Sequence, residues 1–250
     1  MRIVVWNCAK AMHRKFDRLL TLKPDIAVVS ECADPEILSR KCNLPAFSAP
    51  SIWSGGNPNW TPDMGQDRWL QFGLAVFFFN GGAGHIHGRF NRGLGSMLPV
   101  EVTAPQRFNL LAVCSPTGLR RADPGPLRRA LEFYRPFLAG EDAVVAGDFN
   151  NNVNFDTPGR ESNHSNARNV LESYRLISAY HTKMDEDYGG ESQPTHYHRW
   201  SHLKKFHIDF IYMPRAWAAR DFSLDVGSFE DWTGAGLSDH APLTLDIGCA

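Results

Sequence analysis

Seven polar residues stand at or near the ends of apolar runs scattered along the chain: Asn7, Glu31, Asp148, Asn150, Asp209, Asp239 and His240. Taken singly, an acid at a strand end is usually a solvated turn. Taken together they suggest one cleft, because strand ends gather on the same rim of a sheet. Carboxylates, carbonyls and waters are what hard Mg²⁺ or Mn²⁺ selects, and Mg²⁺ typically keeps waters and only one or two protein carboxylates. In FHIDFI (206–211) the alternation has a period of two, which puts His207 and Asp209 on one face. From there Asp209 can orient an imidazole such as His240, as a carboxylate orients a catalytic histidine. The stretch AVVAGDFNNN (143–152) repeats the theme locally. Four apolar residues lead through Gly147 to Asp148 and Asn150, which point the same way at i and i+2, while Asn151 and Asn152 cap or turn the loop.

The elements that must carry these residues are short and mixed. RIVVWN (2–7) and DIAVVSE (25–31) read as apolar strands, with a helix between them over 13–23 closed by Pro24. That strand–helix–strand unit favours a parallel pair. From 70 to 115 the pattern becomes a run of strands joined by Gly-bearing turns. Helices are predicted over 125–138 and 167–174, and strands over 143–150, 194–200, 204–213 and 241–247. The fold class is α/β: two packed mixed β-sheets flanked by helices. Two long loops, 51–69 and 181–193, are the expected substrate rim. Within them Trp53, Trp60 and Trp69 either stack on bases or pin the loop to the core, and HTKMDED (181–187) reads as a solvated charge run.

The chain has 250 residues without repeats or linkers, so one domain over 1–250 is expected. With 43% hydrophobic and 21% charged residues it matches a soluble globular protein. A net charge of −1 gives no global pull toward nucleic acid, yet leaves room for a local basic groove. No run approaches the roughly 18 apolar residues of a membrane span, nor does the start resemble a secretory leader, so no membrane insertion is expected. Five cysteines with no CxxC spacing suggest neither disulfides nor zinc, but free thiols in a reducing cytoplasm. A monomer is expected.

The motifs WN (6–7), SE (30–31), GDFN (147–150), HIDF (207–210) and SDHAP (238–242) together resemble the endonuclease/exonuclease/phosphatase (DNase I-like, exonuclease III-like) superfamily, in order and spacing over essentially the whole chain. The resemblance implies a four-layer α/β sandwich and Mg²⁺- or Mn²⁺-dependent hydrolysis of a phosphate ester. It implies that Glu31 is the main metal ligand, assisted by Asn7, with Asp239 beside the metal. Asp148 would activate the attacking water and Asn150 would hold the scissile phosphate. Asp209 would orient His240, which would stabilise the developing charge. One position departs from the pattern: where relatives usually carry a Tyr or His near the leaving group, this chain has Cys114 followed by Ser115. His196, His198 and His207 are the candidates to supply the missing group.

The expected function is a nuclease or phosphodiesterase acting on DNA. A phosphatase or phospholipase-C-like enzyme on a small-molecule or lipid phosphate ester is the alternative within this chemistry. A non-catalytic binding module on the same fold is the alternative outside it.

Overall fold

In the strand Arg2–Asn7, the residues Ile3, Val4, Val5 and Trp6 are all buried, so this strand is covered on both faces. The same holds for its neighbours, and that demands two sheets with further layers outside them. The computed structural model describes residues 1–35, 38–39, 49–55, 72–94, 97–116, 124–140 and 142–248. Its strands are β1 (Arg2–Asn7), β2 (Ile26–Ala33), β3 (Ser51–Gly55), β4 (Phe72–Phe78), β5 (Ala83–Ile86), β6 (Met97–Ala104) and β7 (Phe108–Cys114). They continue with β8 (Ala143–Asp148), β9 (Leu176–Ser178), β10 (His196–Tyr197), β11 (Lys205–Phe206), β12 (Asp209–Pro214), β13 (Phe222–Val226) and β14 (Leu243–Ile247). One six-stranded sheet runs β13-β14-β1-β2-β4-β3 and the other β5-β6-β7-β8-β12-β9, while β10 and β11 form a separate two-stranded pair. The expected parallel pair β1–β2 is present, as is a second, β7–β8.

Alternation along the central strands sorts the core into layers. Ile3, Val5, Val28 and Val76 from one sheet meet Val100, Leu110, Val144 and Ile211 from the other. The opposite faces are covered by helices. Val4, Trp6, Ala27 and Phe77 pack with Phe16 and Leu19 of α1 (Phe16–Thr21). Leu111, Val145 and Phe210 pack against α2 (Gly125–Phe133), α3 (Arg135–Leu138) and α4 (His164–Ser173). Each such side chain contributes about 1.5–3 kcal/mol on burial, so the layered core dominates the stability. A last helix, α5 (Ala179–Met184), adds Tyr180 to the core between the sheets. This is the predicted four-layer arrangement. Among the described residues no helix is long and apolar enough to cross a membrane.

Several boundaries differ from the sequence expectation for identifiable reasons. The predicted strand 204–213 is interrupted at His207 and Ile208, because the amides of Ile208 and Asp209 both donate to Thr195 Oγ1 at 3.0 Å instead of continuing a ladder. The predicted strand 194–200 stops at Tyr197, since Arg199 and Trp200 turn into left-handed backbone (φ 55° and 61°). The helix over 125–138 breaks at Tyr134, where Pro136 lacks the amide that would reach Glu132 and its ring crowds that carbonyl. The loop 51–69 begins as strand β3; Trp60 and Trp69 lie outside the described residues. The loop 181–193 begins inside α5. HTKMDED is not simply solvated either: the side chains of His181 and Glu191 pair while buried, and Glu186 accepts from Tyr180 and Ser192.

Candidate active site

Asp148 closes β8, and the residue before it explains how. Gly147 has φ 145°, and a Cβ there would lie 1.9 Å from the carbonyl oxygen of Val113 in the paired strand β7. Only glycine lets the two strands run this close up to the residue that carries the acid. Beyond it Asn150 turns left-handed (φ 50°) and folds back. Its amide nitrogen donates to Asp148 Oδ1 at 2.8 Å, and its side chain donates to Asp148 Oδ2 at 3.1 Å and to the Ser115 carbonyl at 2.9 Å.

The other sheet supplies the opposing wall. Asn7 ends β1 and donates from Nδ2 to Asp148 Oδ2 at 2.9 Å and to Glu31 Oε1 at 3.4 Å, while its Oδ1 accepts from the Ala9 amide. Asn7 therefore bridges two carboxylates from different sheets. Glu31 lies on β2 at a bulge between Val29 and Cys32, with φ 53°. A bulge re-aims a side chain, and left-handed backbone at a non-glycine residue is a cost that clusters at functional sites.

His240 sits in the turn before β14. Its Nδ1 donates to Asp209 Oδ2 at 2.8 Å, and its backbone is held by Ser238 Oγ and by the indole of Trp6. Burial alone would lower the pKa of His240, but the charge and hydrogen bond of Asp209, with Asp148 and Asp239 behind, raise it to about 10. The imidazole is thus a cation at neutral pH. Asp148 is raised to about 7, first by burial and then by the charge of Asp209, against the opposing pull of His240, Asn7 and the Asn150 amide. A carboxylate poised there is matched to removing a proton near neutral pH.

The ligand atoms of Asp148, Asp209 and His240 lie within 4.8 Å of one another. Asp209 Oδ2 is already taken by His240 Nδ1, which leaves the trio fewer free donor atoms than the wider set of acids around it. The wider donor set does suit a hard divalent ion. Four carboxylates, Glu31, Asp148, Asp209 and Asp239, converge here, and Asp209 Oδ1 is buried with no hydrogen-bond partner. Among the described residues, His240, Lys15 and His196 stand against them. The Lys15 ammonium donates to the Cys8 and Lys10 carbonyls and feels the charges of Asp239 and Glu31. Glu31, only partly buried, accepts one long side-chain hydrogen bond among the described residues and has lone pairs to spare.

Of the expected site residues, Asn7, Glu31, Asp148, Asn150, Asp209, Asp239 and His240 are gathered in one place. His207 is not among them. It lies before β12 with its ring against Tyr180 at 4.3 Å, and its Nδ1 bonds the Gln193 carbonyl at 2.7 Å. The strict alternation that would have put it beside Asp209 fails where the strand is interrupted. Cys114 pairs in register with Asp148, and burial raises its thiol well above its ordinary range, which makes it a poor proton donor. His196 does reach the site: it bridges to His240 with rings 4.5 Å apart, and its Nε2 is 3.7 Å from Asp239 Oδ2. His198 lies farther out, on the wall of a cleft of about 330 Å³ that opens beside Asn150 and is also lined by Asn151, Phe155, His196 and Phe206. Trp53 is pinned to the core through its indole and the Cys32 carbonyl at 3.0 Å.

No family model and no curated protein matches the chain. Solved structures do. A 3′-5′ exonuclease from Neisseria meningitidis is 18% identical with a TM-score of 0.68, and the comparison covers 100% of both chains. A 3′ phosphatase from Neisseria bound to a product DNA hairpin is 17% identical with a TM-score of 0.67, again over 100% of both. An endonuclease/exonuclease/phosphatase from Beutenbergia cavernae is 16% identical with a TM-score of 0.64, covering 100% of this chain and 72% of that one. The chain has the endonuclease/exonuclease/phosphatase fold, as the motifs implied.

Proposed function

We propose that this protein is a divalent-metal-dependent phosphoesterase that cleaves DNA by attack of an activated water. The observation that carries the reading is the Asp148 carboxylate held by Asn7 and Asn150 beside the buried His240–Asp209 pair. Asp148, near its midpoint at neutral pH, takes the proton of the attacking water. Asn150 and the cationic His240 hold and neutralise the phosphate oxygens on which charge develops. Asp209 keeps His240 protonated and aimed. Glu31, with Asn7 and Asp239, would hold Mg²⁺ or Mn²⁺, which when bound polarises the phosphate and offsets the four carboxylates. Cys114 is a poor acid, and His196, beside His240 and Asp239, takes the role of supplying a proton to the leaving oxygen. DNA is favoured as substrate by one of the similar structures, the Neisseria 3′ phosphatase bound to a product DNA hairpin.

The test is Mg²⁺-dependent hydrolysis of plain duplex DNA, abasic duplex, single-stranded DNA, 3′-phosphate-ended duplex and a generic phosphodiester, with the Asp148→Asn protein beside each. Cleavage of a DNA substrate that falls by about 10²-fold or more in the variant is the expected result. Turnover of the generic ester alone would move the assignment to a small-molecule or lipid phosphate ester. In parallel, Mg²⁺ should raise the melting temperature of the wild-type protein and not that of Glu31→Gln. Saturating a site to 100 times its Kd stabilises by about 2.7 kcal/mol. Equal stabilisation of both proteins would remove Glu31 from the ligand set.

A further inference from the structure

β5 is the edge strand of the sheet that carries Asp148, and it presents two imidazoles two residues apart. His85 stands directly across the ladder from Glu101 of β6, and a period of two puts His87 on the same face. His87 lies one residue past β5, yet the ladder reaches it, because its amide donates to the Pro99 carbonyl at 3.0 Å. Both rings turn to one carboxylate. His87 Nδ1 lies 2.7 Å from Glu101 Oε1, and His85 Nε2 lies 3.3 Å from Glu101 Oε2.

The backbone explains the convergence. A bulge between Ala83 and Gly84 shifts β5 against β6 just before His85. Gly84 permits the close approach: a Cβ there would lie 2.9 Å from the Glu101 carbonyl oxygen and 2.7 Å from the Phe78 ring. Past the pair, the Phe90 amide closes back on the His87 carbonyl at 3.0 Å, and the His87 ring packs on Phe137 with centroids 4.5 Å apart. His87 is thus fixed by its backbone, its packing and Glu101. The His87 hydrogen bond also holds the Glu101 carboxyl below its ordinary range, so it is an anion at neutral pH. Because each nitrogen takes a different oxygen, closing all three groups on one ion requires one ring to turn. His85, with its side chain 61% exposed, has the room to do so.

We propose that His85, His87 and Glu101 form a second metal site, for a borderline transition ion of the Zn²⁺ type, with solvent filling its remaining positions. Two imidazoles and one carboxylate are donors that Zn²⁺ takes readily, whereas Mg²⁺ selects oxygen alone. The proton that a neutral ring presents to Glu101 moves to its other nitrogen when the ion binds, so each imidazole supplies a lone pair and stays neutral. As ion pairs alone, contacts this exposed contribute little to stability. A bound ion would instead cross-link β5 to β6. It would hold down an edge strand of four residues, the kind of strand that is otherwise open to pairing with another chain. None of the three residues belongs to the candidate active site, so the proposal stands or falls independently of the phosphoesterase reading.

Isothermal titration calorimetry with ZnCl₂, in excess Mg²⁺ to keep carboxylate sites occupied, compares wild type with His85→Ala, His87→Ala and Glu101→Gln. His198→Ala, in the cleft beside Asn150, is the control. Wild type should bind a Zn²⁺ ion that each of the first three variants binds about 100-fold more weakly or not at all, since losing a ligand costs at least the roughly 10–100-fold of losing an outer-shell partner. His85→Ala is the decisive variant, because an exposed ring is removed without opening the core, and its melting temperature without metal should equal that of wild type. In ¹H–¹⁵N spectra of the imidazoles, Zn²⁺ should shift the His85 and His87 rings, and Mg²⁺ should leave both in place. The site is overturned by equal Zn²⁺ binding in wild type and His85→Ala, by an equal loss in His198→Ala, by the same ring shifts with Mg²⁺, or by one ion per two chains with dimers in sedimentation.

Discussion

His240 Nδ1 lies 2.8 Å from Asp209 Oδ2, both side chains are buried, and the bond spans the two sheets: Asp209 opens β12 of one, and His240 precedes β14 of the other. It is a tie between layers as well as part of the candidate site.

Replacing Asp209 with Asn keeps the shape of that tie and removes its charge. The His240 pKa should fall from about 10 into or below the ordinary histidine range, because burial, which opposes the charge of Asp209, then acts with less opposition. Titration of the imidazole by NMR would show this, and kcat at pH 7.5 should drop by about 10²-fold or more. An unchanged titration would mean that Asp209 does not set the charge on His240.

The rate should rise with pH through a limb near 7, since Asp148 works as its deprotonated form and its pKa is raised to about 7. Asp148→Asn should remove the limb along with nearly all activity. Its melting temperature without metal should equal or exceed that of wild type at pH 8, because a buried charge facing Asp209 is gone. A limb that survives in the residual activity would belong to another group.

His196 is assigned to the leaving oxygen, and leaving groups differ in their need for a proton. His196→Asn should cut DNA cleavage by about 10²-fold but p-nitrophenyl ester cleavage far less, because p-nitrophenolate departs unprotonated. Equal losses on both substrates would mark His196 as structural.

Acid should destabilise the protein through a residue outside this chemistry. His164 is buried against Phe210 and Tyr188, and burial lowers its pKa to about 4. An unfolded chain takes up a proton at that residue near its ordinary pKa of about 6.5, so the folded state loses stability as pH falls from about 6.5 to 4, by up to roughly 3 kcal/mol. Urea unfolding across that window should show the slope, and His164→Phe should flatten it. A slope unaltered in His164→Phe would place the acid sensitivity in other groups.

The site's acids and amides were legible because each stands at or near the end of an apolar run, and burial on both faces leaves a strand few other places for polar groups. GDFN and SDHAP add spacing that a turn alone would not require. His207 was misplaced because period-two reasoning assumes an unbroken strand, and the Thr195 hydroxyl that takes the amides of Ile208 and Asp209 comes from 13 and 14 residues away. The exposed basic turn at Arg199, Lys204 and Lys205 was passed over for a different reason, since composition averages over the chain and net charge conceals a local cluster. β13 could have been read from the alternation of Phe222 and Leu224 with Ser223 and Asp225; the short strand β9 has too few residues to show a period.

The two sheets are assembled differently along the chain. The sheet that carries Asp148 and Asp209 is made from β5 to β9 and β12, while the sheet that carries Asn7 and Glu31, with His240 just before β14, is made from β1 to β4 and then β13 and β14. β14 pairs directly with β1 in the interior of its sheet. A ribosome therefore releases six of the seven clustered polar residues before the histidine that follows them, and that histidine is seated only when β14 slots between β13 and β1. The candidate site is therefore incomplete until β14 is paired with β1, and its assembly reports the closure of that sheet.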